Sequence, residues 1–218
     1  MTFDSRVSLR DDPVQQLACG DVLFEAGGMG TVWQLTAGAL RLDRATVDGQ
    51  RFMQIVLPGD LIGLELLAAY PYANTARAIV PSEARRRVLA SDAERRLVLM
   101  EGLLQQQRRG EDLVALRSSS AQDRLKALLL MLAPEDDAPW IGEEAHTPLP
   151  TIKDMAAIID TSPETVSRIF ANLKRTQILD GRERQSARFS RARLRESEWP
   201  AGMTRSDGGA RVRDHLGA

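Results

Sequence analysis

Glu164, Ser167 and Arg168 carry the most distinctive chemistry in this chain. Spaced three and four residues apart, they share one face of a helix. Arg168 offers a planar fork of donors that suits the O6 and N7 acceptors of guanine. Glu164 can only accept, which suits the exocyclic amine of cytosine or adenine. Ser167 is small enough to let the backbone approach and to touch a base edge or a thymine methyl. Thr151 and Thr165 stand at helix starts, where hydroxyls and free N–H groups hold phosphate, and Lys174 adds a cation. Such a face belongs in a DNA major groove. The competing reading has Glu164 complementing the helix dipole and pairing with Arg168 across one turn of a solvated helix.

The elements that must position this face are legible around it. Residues 151–176 read as two short helices joined by a tight turn. Ser162 is an N-cap hydroxyl, Pro163 takes the first helical position and Glu164 falls in the first turn. The first helix buries Met155, Ala156 and Ile159, and the second Val166, Ile169 and Leu173, at helical spacing. Glu164, Ser167, Arg168 and Asn172 are left outside. Residues 178–181 and 187–190 then read as a two-stranded wing whose Arg182, Arg184 and Arg188 meet phosphates. Ten Lys and Arg stand against five Asp and Glu between Thr151 and Arg195, in a chain whose net charge is −1. A local basic patch in an acidic protein marks one nucleic-acid surface rather than a wholly basic shell. Acidic residues Glu135, Asp136, Asp137, Glu143 and Glu144 form a linker expected to face away from DNA.

The segment from 151 to 176 resembles the recognition motif of the Crp/Fnr family of bacterial transcription regulators. The family turn carries Gly, an apolar residue, then Ser or Thr; here Asp160, Thr161 and Ser162 stand there. Asp tolerates the left-handed conformation better than most residues. Glu164, Ser167 and Arg168 match the Glu-x-x-Ser-Arg pattern of the Fnr subgroup. The resemblance implies a TTGAT-like half-site repeated as an inverted pair and read by a homodimer.

The N-terminal part resembles the cyclic-nucleotide-binding domain of the same family. Short apolar runs at 22–25, 31–35, 39–44, 51–57, 74–80 and 85–89 alternate with turns at 26–30, 37–38, 48–49 and 58–59, the pattern of a small antiparallel barrel or jelly roll. Gly20-Asp21-Val22-Leu23-Phe24 is similar to the family's opening strand, and Leu35-Thr36-Ala37-Gly38 to its strand-turn glycine. Pro58-Gly59-Asp60-Leu61-Ile62-Gly63 is similar to the entry of the phosphate-binding cassette. The cassette itself departs from the cAMP-binding pattern. Gly63 is followed by Leu64, with Glu65 one place later, and Tyr72 and Ala73 stand where Arg and Ser would hold the cyclic phosphate. A slip would bring Asn74 and Thr75 there, while Arg77 falls one strand face too late. A buried phosphate without a cation is disfavoured, so no tight cAMP or cGMP binding is expected. Gly63, Glu65, Tyr72, Asn74, Thr75 and Arg77 outline the candidate effector pocket.

Residues 91–118 read as one long helix opened by a Ser91–Glu94 capping box. Leu97, Met100, Leu104, Gln107 and Val114 approximate a heptad seam flanked by Leu103, and the family reading makes it a dimerisation helix. Gly110 stands at its centre as a point of close approach or flexibility. A further helix covers 120–132. The organisation expected is therefore α+β. A β-roll sensor spans 1–90, a dimerisation helix 91–118, a winged helix-turn-helix 119–196 and a mobile tail 197–218.

Composition bounds the remaining chemistry. The chain has 218 residues, 43% hydrophobic and 5% aromatic. No run approaches the roughly 20 apolar residues of a membrane span, and the N-terminus lacks a signal-like apolar core, so a cytoplasmic protein is expected. Cys19 is the only cysteine. One thiol cannot hold an iron–sulfur cluster, which takes about four. His146 and His215 are too few and too separate for a cupin-like metal site, and haem is disfavoured, with Cys19 its one conceivable ligand. No cofactor is expected. The partners implied are double-stranded DNA, a second copy of the chain and RNA polymerase, the last through the loop at 48–51, with no membrane. Two alternatives remain: a constitutive regulator without an effector, and a β-barrel enzyme, which the lack of a catalytic constellation argues against.

Overall fold

The computed structural model describes residues 14–47, 49–133, 147–179, 186–187, 189 and 194–195. Two four-stranded antiparallel sheets form the N-terminal roll. The strands are β1 (Val14–Leu17), β2 (Val22–Phe24), β3 (Val32–Ala37), β4 (Leu40–Thr46), β5 (Gly49–Val56), β6 (Leu61–Ile62), β7 (Thr75–Ala78) and β8 (Ser82–Arg87). One sheet runs β1-β8-β3-β6 and the other β2-β7-β4-β5. Leu35, Leu40, Val56, Ile62, Ala76 and Ala84 fill the space between them. Gly38 makes the β3–β4 turn at φ +81°, and a Cβ there would lie 2.3 Å from the Pro81 carbonyl oxygen. Glycine is thus required both for the left-handed backbone and for the close approach.

Two strands escape sequence patterning. β1 exposes three of its four residues, and β6 is two residues long inside the cassette turn. Neither is long enough to show an alternation.

Helix α1 (Asp92–Ala115) starts at the expected capping box, with Ser91 accepting from the Glu94 N–H and the Glu94 side chain returning to the Ser91 N–H. It lies on the roll along Val98, Gly102 and Gln105. The buried Gln105 amide accepts from the Leu61 N–H at 2.7 Å and donates to the Leu61 carbonyl at 2.8 Å. Arg109 grips the nearly inaccessible Asp60 with two bonds, 2.7 and 3.0 Å. Close approach occurs at Gly102, where a Cβ would meet the Leu64 side chain at 2.3 Å. At Gly110 nothing of the same subunit lies within 4 Å of such a Cβ.

Helix α2 (Ala121–Leu132) leads into the C-terminal part. There β9 (Thr147–Pro148) precedes α3 (Ile152–Ile158) and α4 (Pro163–Arg175), and β10 (Ser186–Ala187) follows. β10 pairs with β9; most of the wing expected at 178–181 and 187–190 lies outside the described residues. Arg182, Arg184 and Arg188, the acidic linker, both histidines, Asp48 and the tail lie outside the described residues.

The roll and the C-terminal helices share one apolar core. Ala39, Phe52, Ile55 and Ile79 of the roll cluster with Leu116, Leu125, Leu128, Met155, Ile158 and Leu173. A buried ionic joint crosses the same seam. Asp154 of α3 receives Arg77, and Arg41 at 3.2 Å, while Arg41 is also bonded to Asp43. Arg41, Asp43 and Asp154 are all buried. The guanidinium groups of Arg41 and Arg117 both lie over the Phe52 ring, at 5.7 and 5.5 Å from its centre. Arg117 donates to the Ile158 carbonyl at the end of α3, where a cation also meets the negative end of the helix dipole.

Burial works against the Asp154 charge, but hydrogen bonds from Arg77 and Thr151 and the charges of Arg77 and Arg41 outweigh it and hold its pKa below the ordinary value. A carboxylate with a depressed folded pKa stabilises above its unfolded pKa, and that stabilisation is lost as pH falls through the folded value. Asp154→Ala leaves two cations without their carboxylate and is expected to cost about 3–5 kcal/mol by urea denaturation. Asp154→Asn is expected to flatten the fall of stability with acid below about pH 4.

Candidate nucleic-acid interface and effector cavity

Helix α4 begins as its sequence dictates. Ser162 caps the Thr165 N–H at 3.2 Å and Pro163 occupies the first turn. Val166, Ile169 and Leu173 are buried, as are Met155, Ala156 and Ile159 opposite them. The turn between the helices is left-handed at Asp160, φ +53°, the conformation that a glycine would take more cheaply. Glu164, Ser167 and Arg168 are exposed together on the outer face. Among the described residues no ion pair joins Arg168 to Glu164, so the guanidinium fork and the carboxylate are separately available to bases.

Other expected contacts are revised by their geometry. Asn172 is buried, not outward, and its side-chain oxygen accepts from Arg175 at 2.7 Å. The Thr151 hydroxyl caps the Asp154 N–H at 3.1 Å and donates to the Asp154 carboxylate at 2.8 Å. The Thr165 hydroxyl pairs with that of Ser162 at 3.1 Å. The Thr151 hydroxyl is thus engaged within its cap, while the Ser162–Thr165 pair uses one of its two O–H groups and leaves the other, with the helix N–H groups, to donate to phosphate. Lys174 is exposed, as is Lys153 on the first turn of α3.

In the roll, Gly63, Glu65 and Asn74 of the expected effector pocket border one small cavity, whereas Tyr72, Thr75 and Arg77 do not. Tyr72 is buried, stacks on Phe24 with ring centres 3.8 Å apart, and donates its hydroxyl to the Thr31 carbonyl at 2.7 Å. The ring is wedged against Gly63, whose added Cβ would lie 2.6 Å from it at a φ of +78°. Glu65 accepts from the Ala73 N–H at 2.7 Å. Asn74 accepts from Arg44 at 3.1 Å, and Thr75 from the Ala26 N–H at 3.1 Å. Arg77 points out of the roll to Asp154. The cavity left among Leu42, Gln54, Gly63, Glu65, Asn74 and Gln106 is about 90 Å³, well under the ~300 Å³ of the smallest usual ligand pockets. The joint of Arg41, Arg77, Arg117 and Asp154 was missed by sequence reading. Its one signal was an acid, Asp154, set among the buried residues of α3.

A β-roll joined to a paired-helix DNA-binding head is the plan of a transcription regulator. The chain matches a cyclic nucleotide-binding domain over residues 14–87 and a Crp-like helix-turn-helix domain over residues 123–196. It belongs to the Crp/Fnr family of transcription regulators, which are not enzymes. Among solved structures it is similar to TTHB099, a CRP-family transcriptional regulator from Thermus thermophilus. That pair shares 24% identity, with 83% of this chain and 94% of the other covered and a TM-score of 0.67. FixK2 from Bradyrhizobium japonicum is similar at 20% identity over 88% of this chain and 99% of its own, with a TM-score of 0.65. TTHA1359, a CRP/FNR-family regulator also from Thermus thermophilus, is similar at 21% identity, covering 84% and 97%, with a TM-score of 0.59. No curated protein matches the chain. Among the described residues no helix is long and apolar enough to cross a membrane.

Arg168→Ala is expected to erase the preference for matched over scrambled duplex, a loss of about 1–3 kcal/mol in a competition binding assay. Gly63→Ala forces a side chain into the left-handed region and against the Tyr72 ring. It is expected to cost at least about 1 kcal/mol in thermal denaturation.

Proposed function

We propose that this chain is a homodimeric, sequence-specific regulator that reads an inverted pair of TTGAT-like half-sites, controlled by a small effector other than a cyclic nucleotide. The observation that carries the reading is the exposed triad Glu164, Ser167 and Arg168 on a capped helix. Arg168 addresses guanine, Glu164 an exocyclic amine, and Ser167 the neighbouring base edge or methyl. Lys174 and Lys153, with Arg182, Arg184 and Arg188, supply charge for phosphates.

The homodimer is supported by the outer face of α1. Leu97, Met100, Leu103, Leu104 and Val114 are exposed there, Leu103 at 72%. A run of large apolar side chains on one helix face is unfavourable in water and is covered by a twofold mate. Gln107 lies within the same stripe and would set its register. Contact with RNA polymerase and residence in the cytoplasm follow the habit of the family. The filled cassette favours a competing reading, in which the regulator needs no effector and acts constitutively.

Selection of bound sites from random duplexes is expected to return two TTGAT-like halves centred about 34 Å apart. Recovery of single, unpaired sites or of no motif would sink the proposal. Leu103→Glu with Leu104→Glu is expected to give monomers in sedimentation and to weaken operator binding by roughly a hundredfold.

A further inference from the structure

The roll holds a larger cavity than the one the cassette retains. It is an open groove beside the Tyr72 ring, between β2, the 29–31 turn, β3 and β8, with a volume of about 430 Å³. That falls within the ~300–1,000 Å³ of small-molecule pockets. Phe24 borders both cavities, and Tyr72, stacked on it, borders the larger one. The Tyr72 ring is fixed: its hydroxyl also accepts from the Thr31 N–H at 2.9 Å, and a Cβ at Gly30 would lie 2.5 Å from that hydroxyl.

The walls of the groove state its ligand's chemistry. Trp33 and Tyr72 offer aromatic surface and the exposed Met29 covers one side. Arg86, directly opposite Trp33 in the β3–β8 register, stands exposed beside it. Among the described residues Arg86 has no ion-pair or hydrogen-bond partner. The Gln15 amide lies at the same rim. An open, half-polar slot walled by two aromatic rings, with one uncompensated guanidinium and one amide, suits a flat apolar body ending in a carboxylate.

We infer that this groove, not the cyclic-nucleotide cassette, is the small-molecule site of the protein, and that its ligand is an aromatic organic carboxylate. The ring lies along Trp33 and the carboxylate takes the Arg86 fork. This deepens the effector reading above and rests on it only for the consequence to DNA binding. The site itself is defined by the groove.

The test uses the full chain, naphthoate as probe and neutral naphthamide as its control. The readout is the indole N–H resonance of Trp33, assigned through Trp33→Phe. Naphthoate is expected to shift that resonance saturably. Arg86→Gln is expected to weaken naphthoate roughly tenfold while leaving naphthamide unchanged. Met29→Glu, at an exposed position that tolerates a charge, is expected to weaken naphthoate as well. A Trp33 resonance unmoved at millimolar probe overturns the inference. So do equal affinities for naphthoate and naphthamide, or wild-type affinity in both folded variants. Because Trp33 and not DNA is read, the outcome stands apart from whether the chain reads an operator.

Discussion

The buried carboxylate of Asp154 is the contact on which the arrangement of this molecule depends. It belongs to the helix that precedes the recognition helix, yet its partners, Arg41 and Arg77, belong to the roll. An ionic group with so little access to water is tolerated only where geometry repays its desolvation, and here two guanidinium groups and the Thr151 hydroxyl do so. The apolar cluster around Phe52 and Ile158 holds the two parts together without direction. The ionic joint gives that adhesion an angle. The orientation of the recognition helix is therefore a property of the roll as much as of its own domain.

Much of this was legible in the chain. Ser162, Pro163 and Glu164 announce a helix start by mechanism, and the periodic spacing of Val166, Ile169 and Leu173 settles which face turns outward. The Ser91–Glu94 box fixes the start of α1 in the same local way. Such features depend on a few neighbouring residues, which is why sequence alone reveals them. Asn172 was misplaced because a polar type suggests water, whereas burial with an Arg175 bond satisfies it equally well. The pairing of β10 with β9 joins residues nearly forty positions apart and leaves no periodic trace in two-residue strands.

The joint itself was illegible for a different reason. Arg41 and Arg77 sit on strands whose alternation marks them as outward, and outward normally means solvent. Only the docking of α3 converts that outside into an interior. The cassette shows the reverse case. The missing Arg and Ser predicted a failure to hold a cyclic phosphate, and the fold adds what fills the place, an aromatic ring clamped by its own hydroxyl. A pattern of absent residues says what a pocket cannot do, but the side chain that replaces them decides what remains.

A β-strand is one residue thick, and this has a mechanical outcome in β4 and β7. Leu42 and Asn74 border the interior cavity, while Arg41 and Arg77, on the same stretches of backbone, hold the helix outside. The same two strands thus serve at once as wall of one compartment and as seat of the helix beside it, so neither surface has a backbone of its own.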